Sequence, residues 1–562
     1  MNRGAGLRDE RESLLDRYAP LLVVACALAL VVAVDPRGEF PINDDWAYAH
    51  SVRWLLDEHR IRLSDWIAMN LLPQTLAGGV VAWFAGYSFS ALRHLTQAVS
   101  VGVAWLTFGW FVTAGVRRRD ALIATLVVMA MPCWPVLSNS YMTDLYGMLF
   151  ALPAAALFFR ALRDPALSVL AAATALTAIG MLQRQVVVVI PAAFFIAWLA
   201  ANRPWRRRTL AIGIAPLAAV LAVEFAYQAY LAHGPGVPQA QEYLHGRVLP
   251  ALQKIADNEG GYYRGWVVTN FLSIVAYLGL FAAPWLLWLG LPRRPRERWI
   301  LLAAVALLVA VTVATGLWPP YRDHNVIDAA GIGPFVLYDG QPTGIAPLDR
   351  SPGLIWRVAG VAVAFGIAML CRAVFLSARA IAGGVARDGG DRGERLFLLA
   401  LIAGYLGPFV ITDYIDRYLL FVLPFVLALA ARAEPAPPSP VGQRAAQAAA
   451  LAWIAGVLAL GAMATHDYFV WNRARWDAIR AAEAMGGTPE TIDGGFEYNG
   501  YYRFEIRPQE QHRGKSWWWV NDDRYVVAFT VIPGYVERAR FDVDRWLPRT
   551  PASVRLLERA PP

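Results

Sequence analysis

The stretch that decides the fold is residues 19–48, APLLVVACALALVVAVDPRGEFPINDDWAY, where a long apolar run gives way to an acidic pair. An arginine-rich segment precedes the run, and the run ends in DPRG at 35–38 without a small-residue cleavage site. Such a pattern predicts an anchor that crosses the membrane and is not removed. The acids that follow it are therefore expected at the membrane surface.

Composition extends this conclusion to the whole chain. Of the 562 residues, 57% are hydrophobic and 17% are charged, and the mean hydropathy is +0.40, whereas soluble domains carry about 25% charged residues. These values exclude a disordered, collagen-like or disulfide-rich chain. Apolar runs predict about thirteen spanning helices, near 19–34, 92–114, 120–138, 144–162, 166–182, 186–202, 209–231, 267–290, 299–317, 354–378, 396–412, 416–432 and 445–463.

Basic clusters between these runs set the orientation. The net charge is +8, but the arginines fall in short groups such as 117–119 and 206–208, which does not indicate a nucleic-acid partner. The positive-inside rule puts these groups and the N-terminus in the cytoplasm, and the odd number of spans puts residues 464–562 outside. The apolar stretch 71–87 is expected to lie along the outer interface or dip into it, because a further span would invert every later loop.

These observations predict an all-α multi-pass protein of the inner, cytoplasmic membrane. Its membrane domain covers 1–463, and the first outer loop, 35–91, carries surface helices. Residues 464–562 form a small water-soluble extracytoplasmic domain. A helix at 476–485 and a strand at 524–531 make that domain α/β.

Acidic residues mark two of the outer loops. Asp44 and Asp45 open an amphipathic helix that reaches about His59, and Asp144 stands at the outer end of the fourth predicted span. The simpler interpretation is that these carboxylates cap helices, since acids are favoured at helix N-termini. Carboxylates on separate loops just above the hydrocarbon are also the elements of a proton-abstraction site or a divalent-cation site.

Arginines stand at the same depth. Arg184 lies in the short turn between the fifth and sixth predicted spans, Arg417 opens the twelfth beside Tyr418, and Arg322 lies in the polar loop 318–352. A charge at membrane depth costs several kcal/mol unless it is paired or reaches the interface. The arginines are therefore interface anchors or phosphate ligands, because a guanidinium matches phosphate oxygens and a lipid phosphate lies at this depth.

Together these motifs resemble the GT-C superfamily of membrane glycosyltransferases. The resemblance is closest to the polyprenyl-phosphate-sugar-dependent branch, which includes protein O-mannosyltransferases and the aminoarabinose transferase of lipid A. It covers roughly residues 15–435, and three positions depart from the usual pattern: Asp45 replaces a glutamate, Gln74 a proline and Arg184 a lysine. Its carriers are Asp44-Asp45-Trp46-Ala47-Tyr48, Pro73, Phe84-Ala85-Gly86-Tyr87-Ser88, Arg93, Asp144, Arg184, Arg417-Tyr418-Leu419 and Pro424.

The resemblance implies a GT-C fold with an active site at the outer face of the membrane. It implies that Asp44 is the catalytic base and that Arg184 and Arg417 contact the phosphate of a polyprenyl-phosphate-sugar donor. We expect Tyr418 and Arg322 to join the phosphate site, and Asp45 and Asp144 to join the catalytic group. The acceptor would be a lipid, a glycan or a protein, and transfer would invert the anomeric carbon.

The need for a metal depends on the donor. A sugar monophosphate needs only charge stabilisation at the leaving group, whereas a diphosphate donor would favour Mg²⁺ or Mn²⁺ beside the three aspartates. We expect the metal-free case, with no cofactor.

Three other functions compete with this hypothesis. A transporter or flippase of an anionic lipid keeps ionisable residues near the midplane and often shows paired broken helices; Glu224 is the main acid inside a predicted span, and no half-repeat is evident. A glycan polymerase or ligase also uses arginines beneath large outer loops. A non-catalytic relic of the fold with a binding tail is the third.

Overall fold

A computed structural model of the chain describes residues 14–257, 261–292, 294–321, 327–328, 331–332, 353–383, 389–433, 442–505, 519–520, 522–547 and 552–561. Nineteen α-helices dominate this part of the chain. They are α1 (Leu14–Val34), α2 (Asp45–Glu58), α3 (Leu72–Ala85), α4 (Phe89–Thr113), α5 (Arg118–Met129), α6 (Cys133–Ser138), α7 (Asp144–Ala161), α8 (Leu167–Met181), α9 (Val189–Ala201), α10 (Arg207–His233), α11 (Gln239–His245), α12 (Val248–Asp257), α13 (Tyr262–Leu289), α14 (Pro295–Thr315), α15 (Leu354–Ala382), α16 (Gly389–Ile411), α17 (Leu419–Ala433), α18 (Gly442–Ala484) and α19 (Phe496–Arg503).

Six short strands complete the described structure. They are β1 (Ile327–Asp328), β2 (Gly331–Ile332), β3 (Ile492–Asp493), β4 (Tyr525–Ala528), β5 (Tyr535–Val543) and β6 (Ala552–Arg559). The first two pair with each other, and the last four form one sheet of order β3-β4-β6-β5. Strand β3 runs parallel to β4, and the other neighbours are antiparallel.

Nine of the described helices are long and apolar enough to cross a membrane: α1, α4, α7, α10, α13, α14, α15, α16 and α18. They confirm a multi-pass, all-α membrane domain. The remaining predicted spans contain shorter helices, namely α8, α9 and α17, and the segment 120–138 is divided into α5 and α6. Pro132 lies at that division, because proline has no N–H for the helical ladder and its ring clashes with the preceding turn.

The predicted domain boundary at 463 lies inside one continuous helix. Helix α18 has 43 residues, which is roughly 64 Å at 1.5 Å per residue, about twice the thickness of the hydrocarbon core. The change to polar residues from Thr465 onward predicted the start of the outer domain, but the helix continues through them. The predicted tail helix at 476–485 is therefore the far end of α18, and α18 connects the membrane domain directly to the C-terminal sheet.

The C-terminal sheet packs against α18. Strand β4 lies within the predicted strand at 524–531, and β6 contributes Val554, Leu556 and Leu557, which are fully buried. With α19, this sheet forms the small α/β part that the sequence predicted. We call residues 485–561, where described, the C-terminal region.

Helix α3 covers most of the apolar stretch 71–87 and is too short to span. Its 14 residues measure about 21 Å. One face packs Gly78 and Gly79 against Tyr141 and Leu55. The other face leaves its large apolar side chains exposed, as expected for a helix in contact with lipid: Leu76, Val80, Trp83 and Phe84.

A close crossing of two helices supplies a test of the helix packing. Helices α13 and α15 meet at Gly279 and Gly366, and a Cβ on Gly366 would overlap the carbonyl oxygen of Gly279. We expect Gly366→Ala to lower the free energy of unfolding by about 1–3 kcal/mol, because neither backbone can give way. The thermal midpoint of the purified protein measures the effect. Gly456→Ala in α18, where a Cβ would meet nothing within 4 Å, is the control. Equal midpoints for both variants would contradict the packing.

Candidate active site

One buried guanidinium connects the two predicted acidic sites. Arg417 Nη2 lies 3.4 Å from Asp44 Oδ2, and its Nη1 lies 3.5 Å from Asp144 Oδ2. Arg184 Nη1 lies 2.5 Å from Asp144 Oδ1. We call these four residues the acid–arginine cluster. It brings together side chains from the first outer loop, the start of α7, the turn before α9 and the turn before α17.

Tyr418 completes the cluster on its apolar side. Its ring centroid lies 5.6 Å from the Arg417 guanidinium carbon and 5.7 Å from that of Arg184. Both distances are in the range of cation–π attraction. Tyr418 thus attracts both cations, although their like charges repel. This arrangement suits an anion that contacts both guanidinium groups.

Exposure separates the two carboxylates. The side chain of Asp44 is 18% exposed, whereas those of Asp144 and Arg417 are 7% and 5% exposed. Asp144 is therefore enclosed between cations, while Asp44 stands at the rim, where a second molecule can reach it. Asp44 makes no capping hydrogen bond to α2, and both arginines point inward. The capping interpretation of Asp44 and the anchor interpretation of the arginines do not fit this geometry.

A pair of glutamines fixes the turn that carries Arg184. Gln183 Nε2 donates to Gln74 Oε1 at 2.8 Å, and Gln183 Oε1 accepts from the backbone N–H of Gln74 at 3.0 Å. Gln74 stands where the resembling family commonly has proline, which has no N–H to donate. The side chain of Arg184 then crosses α7 at Gly147, where a Cβ would lie 2.9 Å from Arg184 Cδ.

Arg93 fixes the other side of the outer loop. Its guanidinium donates to the carbonyl oxygens of Pro36, Gly38 and Phe40 at 2.7–2.9 Å, and to that of Asn139 at 3.1 Å. Four carbonyls replace the water that a buried cation would lose. Arg93 therefore ties the chain after α1 to the turn that precedes α7.

Asp45 lies apart from the acid–arginine cluster. Its Oδ1 accepts the backbone N–H of Ile42 at 2.5 Å, and its Oδ2 accepts that of Tyr141 at 3.2 Å. Burial raises the pKa of Asp45 well above its usual value, against the opposite effect of Arg93 and the two N–H donors. The structure thus gives Asp45 contacts that hold the loop before α2, while its predicted catalytic role stays a prediction.

Trp66 is a site residue that sequence reasoning missed. Its Nε1–H donates to Asp44 Oδ1 at 2.9 Å. The Trp66 ring lies 5.5–5.9 Å from four other aromatic rings, most of them in the C-terminal region, and we call this group the aromatic cluster. Its members are Trp46, Trp66, Phe496, Phe504 and Trp519. The C-terminal region therefore holds the donor that orients Asp44.

A buried ion pair holds the neighbouring backbone. Glu497 of α19 accepts the N–H of Asn43 at 3.1 Å and pairs with Arg475 of α18 at 2.7 Å. Asn43 has a left-handed φ of 55°, a conformation that asparagine tolerates better than most residues. The residue before Asp44 is thus fixed by the helix that leaves the membrane and by the region beyond it.

A network of amides lies next to the Gln183–Arg184 turn. Asn70 Nδ2 donates to Glu224 Oε2 at 2.6 Å, and Gln228 Nε2 donates to Glu224 Oε1 at 2.9 Å. Gln185 also donates to Asn70, at 2.9 Å. Glu224, which the sequence placed inside a span, is thus bonded to the first outer loop. These contacts place Glu224 beside the Gln183–Arg184 turn.

Two further expectations concern residues outside the cluster. Arg322, the fourth predicted phosphate ligand, lies outside the described residues. In the part of the chain that the structure describes, no group of three or more His, Cys, Asp and Glu side chains could hold a metal ion. Whether the reaction needs a metal ion therefore depends on the chemistry of the donor.

No family model matches the chain, and no curated protein matches it. Two solved structures are similar to it over 95% of its length. ArnT from Cupriavidus metallidurans bound to undecaprenyl phosphate aligns at 15% identity, with 97% of that chain covered and a TM-score of 0.38. ArnT from the same organism in the apo state aligns at 16% identity, with the same coverage and a TM-score of 0.40. The chemistry of the site therefore has to be inferred from its own residues.

The contact between α2 and α19 should depend on pH through His50. Its ring stacks on Tyr501 at 4.4 Å between centroids, and Nε2 lies 2.8 Å from the Tyr501 carbonyl oxygen. Burial lowers the pKa of His50 to about 4, below its usual 6.5. When the contact opens, the pKa of His50 returns to about 6.5, so the open state binds a proton more strongly than the closed state. The contact is therefore fully stable above about pH 6.5 and weakens as the pH falls toward 4.

Amide hydrogen exchange of α19 at pH 7 and pH 4.5 measures this effect. We expect the opening free energy to fall by up to about 3 kcal/mol in the acid. His50→Gln, which cannot titrate, should remove most of the pH dependence. An identical pH response in the variant would show that another group is responsible.

Proposed function

We propose that the protein is a membrane glycosyltransferase that moves a sugar from a polyprenyl-phosphate donor to an acceptor hydroxyl, with inversion at the anomeric carbon. The observation that carries this proposal is the position of Arg417 between Asp44 and Asp144, with Arg184 beside it. It joins an anion site and a reachable base in one place. Neither the anion site nor the base identifies the sugar or the acceptor.

The arginines supply the leaving-group side of the reaction. A sugar phosphate departs as a phosphate anion, which needs charge stabilisation and no acid. Arg417 and Arg184 are buried, so their charges act in a poorly screened environment. Arg417 Nε is enclosed and has no hydrogen-bond partner among the described residues. A phosphate oxygen would satisfy this donor, with Tyr418 keeping the two guanidinium groups aligned.

Asp44 supplies the acceptor side. In the proposed step, the acceptor oxygen forms a bond to the anomeric carbon while its proton passes to Asp44, and the bond from that carbon to the phosphate oxygen breaks. The electron pair leaves with the phosphate, which the arginines hold. Trp66 fixes one oxygen of Asp44. The partial exposure of Asp44 gives the acceptor access.

The other aspartates support this geometry. Asp144 binds both arginines and so sets their separation, and we assign it the orientation of the site rather than proton transfer. Asp45 holds the loop that carries Asp44. A monophosphate donor requires no cation in this scheme, whereas a diphosphate donor would need Mg²⁺ or Mn²⁺ near the aspartates. We favour the monophosphate donor. We also propose that the site lies at the outer leaflet of the cytoplasmic membrane.

Asp44→Asn tests the base. The amide cannot accept the proton, so we expect transfer to fall by about 10²- to 10⁴-fold. Mass spectrometry of envelope lipids and glycans from a complemented deletion strain reports the product as a species heavier by one sugar. Asp57→Asn, on the exposed side of the same helix, is the matched control and should restore the product. Full product from Asp44→Asn at normal protein level would remove Asp44 as the base.

Trp66→Phe tests the orientation of Asp44. It keeps an aromatic ring in the aromatic cluster and removes only the N–H donor, so we expect a roughly tenfold lower kcat with KM for the donor little changed. The loss should fall on kcat and not on KM, because the indole N–H orients Asp44 and does not contact the donor phosphate. Release of polyprenyl phosphate gives the rate.

Trp46→Phe is the control for this variant. Trp46 lies in the same cluster, and its Nε1 has no partner among the described residues. Trp46→Phe should leave kcat near the native value even where stability falls. Equal losses of kcat in both variants would show that the cluster acts only through packing.

A further inference from the structure

A groove with arginines at one end lies toward the opposite end of α7 from the acid–arginine cluster. It has a volume of about 520 Å³ and opens between α1, α4 and α7. Its walls are apolar, with Trp105 and Phe108 on one side and Leu152 and Leu157 on the other. This volume lies within the range of about 300–1,000 Å³ that is usual for ligand sites. None of the residues in the proposed reaction line it.

Two prolines line the groove. Pro20 lies inside α1 and Pro153 inside α7. A proline inside a helix removes a backbone hydrogen bond, because it has no N–H to donate to the preceding turn. Each proline therefore leaves one carbonyl of its helix without the usual N–H partner.

Two arginines lie at one end of the groove. Arg118 begins α5 and Arg160 is in the last turn of α7, and both line the cavity. Arg163, which lies just beyond α7, pairs with the acid Glu394 at 2.5 Å. Among the residues that the structure describes, the exposed side chain of Arg160 has no such acidic partner. A positive charge thus remains at the mouth of an apolar groove.

We propose that this groove binds an anionic phospholipid. One acyl chain would lie between α4 and α7, and the headgroup phosphate would contact Arg118 and Arg160. The groove lies within helices that are apolar enough to cross a membrane, so lipid is the molecule that surrounds it. Anionic headgroups are enriched on the cytoplasmic leaflet, which is the side predicted for these arginines. A bound lipid would fill the space between α1 and its neighbours, and α1 is otherwise mostly exposed.

Binding is tested with phosphatidylglycerol and phosphatidylcholine. The full-length protein, purified in detergent, is titrated with each lipid, and the bound lipid is counted by native mass spectrometry. We expect phosphatidylglycerol to bind more tightly and to raise the thermal midpoint with concentration. Arg118→Gln combined with Arg160→Gln should weaken that binding by roughly fivefold for each arginine. Arg206→Gln with Arg207→Gln, on exposed arginines at the start of α10, is the control.

The outcomes separate a specific site from general surface charge. The site is supported if the Arg118→Gln, Arg160→Gln variant loses affinity for phosphatidylglycerol while the Arg206→Gln, Arg207→Gln variant retains it. Equal loss in both pairs, or equal affinity for the two lipids, would overturn it. If the double variant does not fold, Arg160→Gln alone, at an exposed position, gives the same comparison. Sugar transfer is not part of the readout, so this inference stands or falls separately from the proposed function.

Discussion

The rest of the site depends on the buried guanidinium of Arg417. It lies between two carboxylates that come from distant parts of the chain, and with Arg184 the cluster has two positive and two negative charges. Buried charges cost several kcal/mol each unless they are matched. Pairing of these four charges therefore requires that four segments meet at one point: the first outer loop, α7 and the turns before α9 and α17. Removal of any one partner would leave an uncompensated charge.

The C-terminal region belongs to this site structurally. Helix α18 extends beyond the membrane domain without a break, and α19 then returns to pack on α2. Through Glu497 the region holds the residue before Asp44, and through the aromatic cluster it holds Trp66. A tail that packed elsewhere would have left the loop at 42–45 without its contact to Glu497, and Trp66 without its aromatic neighbours. The position of the loop that carries Asp44 therefore depends on a residue more than 450 positions away.

Charge at membrane depth made the cluster predictable. Asp44, Asp144, Arg184 and Arg417 stood out because an ion there needs a partner, and the structure provides one for each. Trp66 carried no such signal, since an indole in a surface loop is ordinary and its donor role appears only in three dimensions. The amphipathic pattern placed α2 correctly, but neighbouring side chains on a helix point about 100° apart. Asp45 therefore turns toward Tyr141 while Asp44 faces Arg417.

The fold, like the site, was predictable from the sequence only in part. Apolar length predicted the long spans, whereas the break at Pro132 and the continuity of α18 depended on local backbone chemistry. The sequence predicted a helix at 476–485 but not its continuity with the preceding span, although few residues after 464 disfavour a helix.

The most direct measurement is an electron cryomicroscopy structure of the protein in a lipid disc with a polyprenyl monophosphate. We expect the phosphate within about 3 Å of donors on both Arg184 and Arg417, with Asp44 facing it across an open space. Phosphate density elsewhere, with both arginines still bound only to carboxylates, would contradict it.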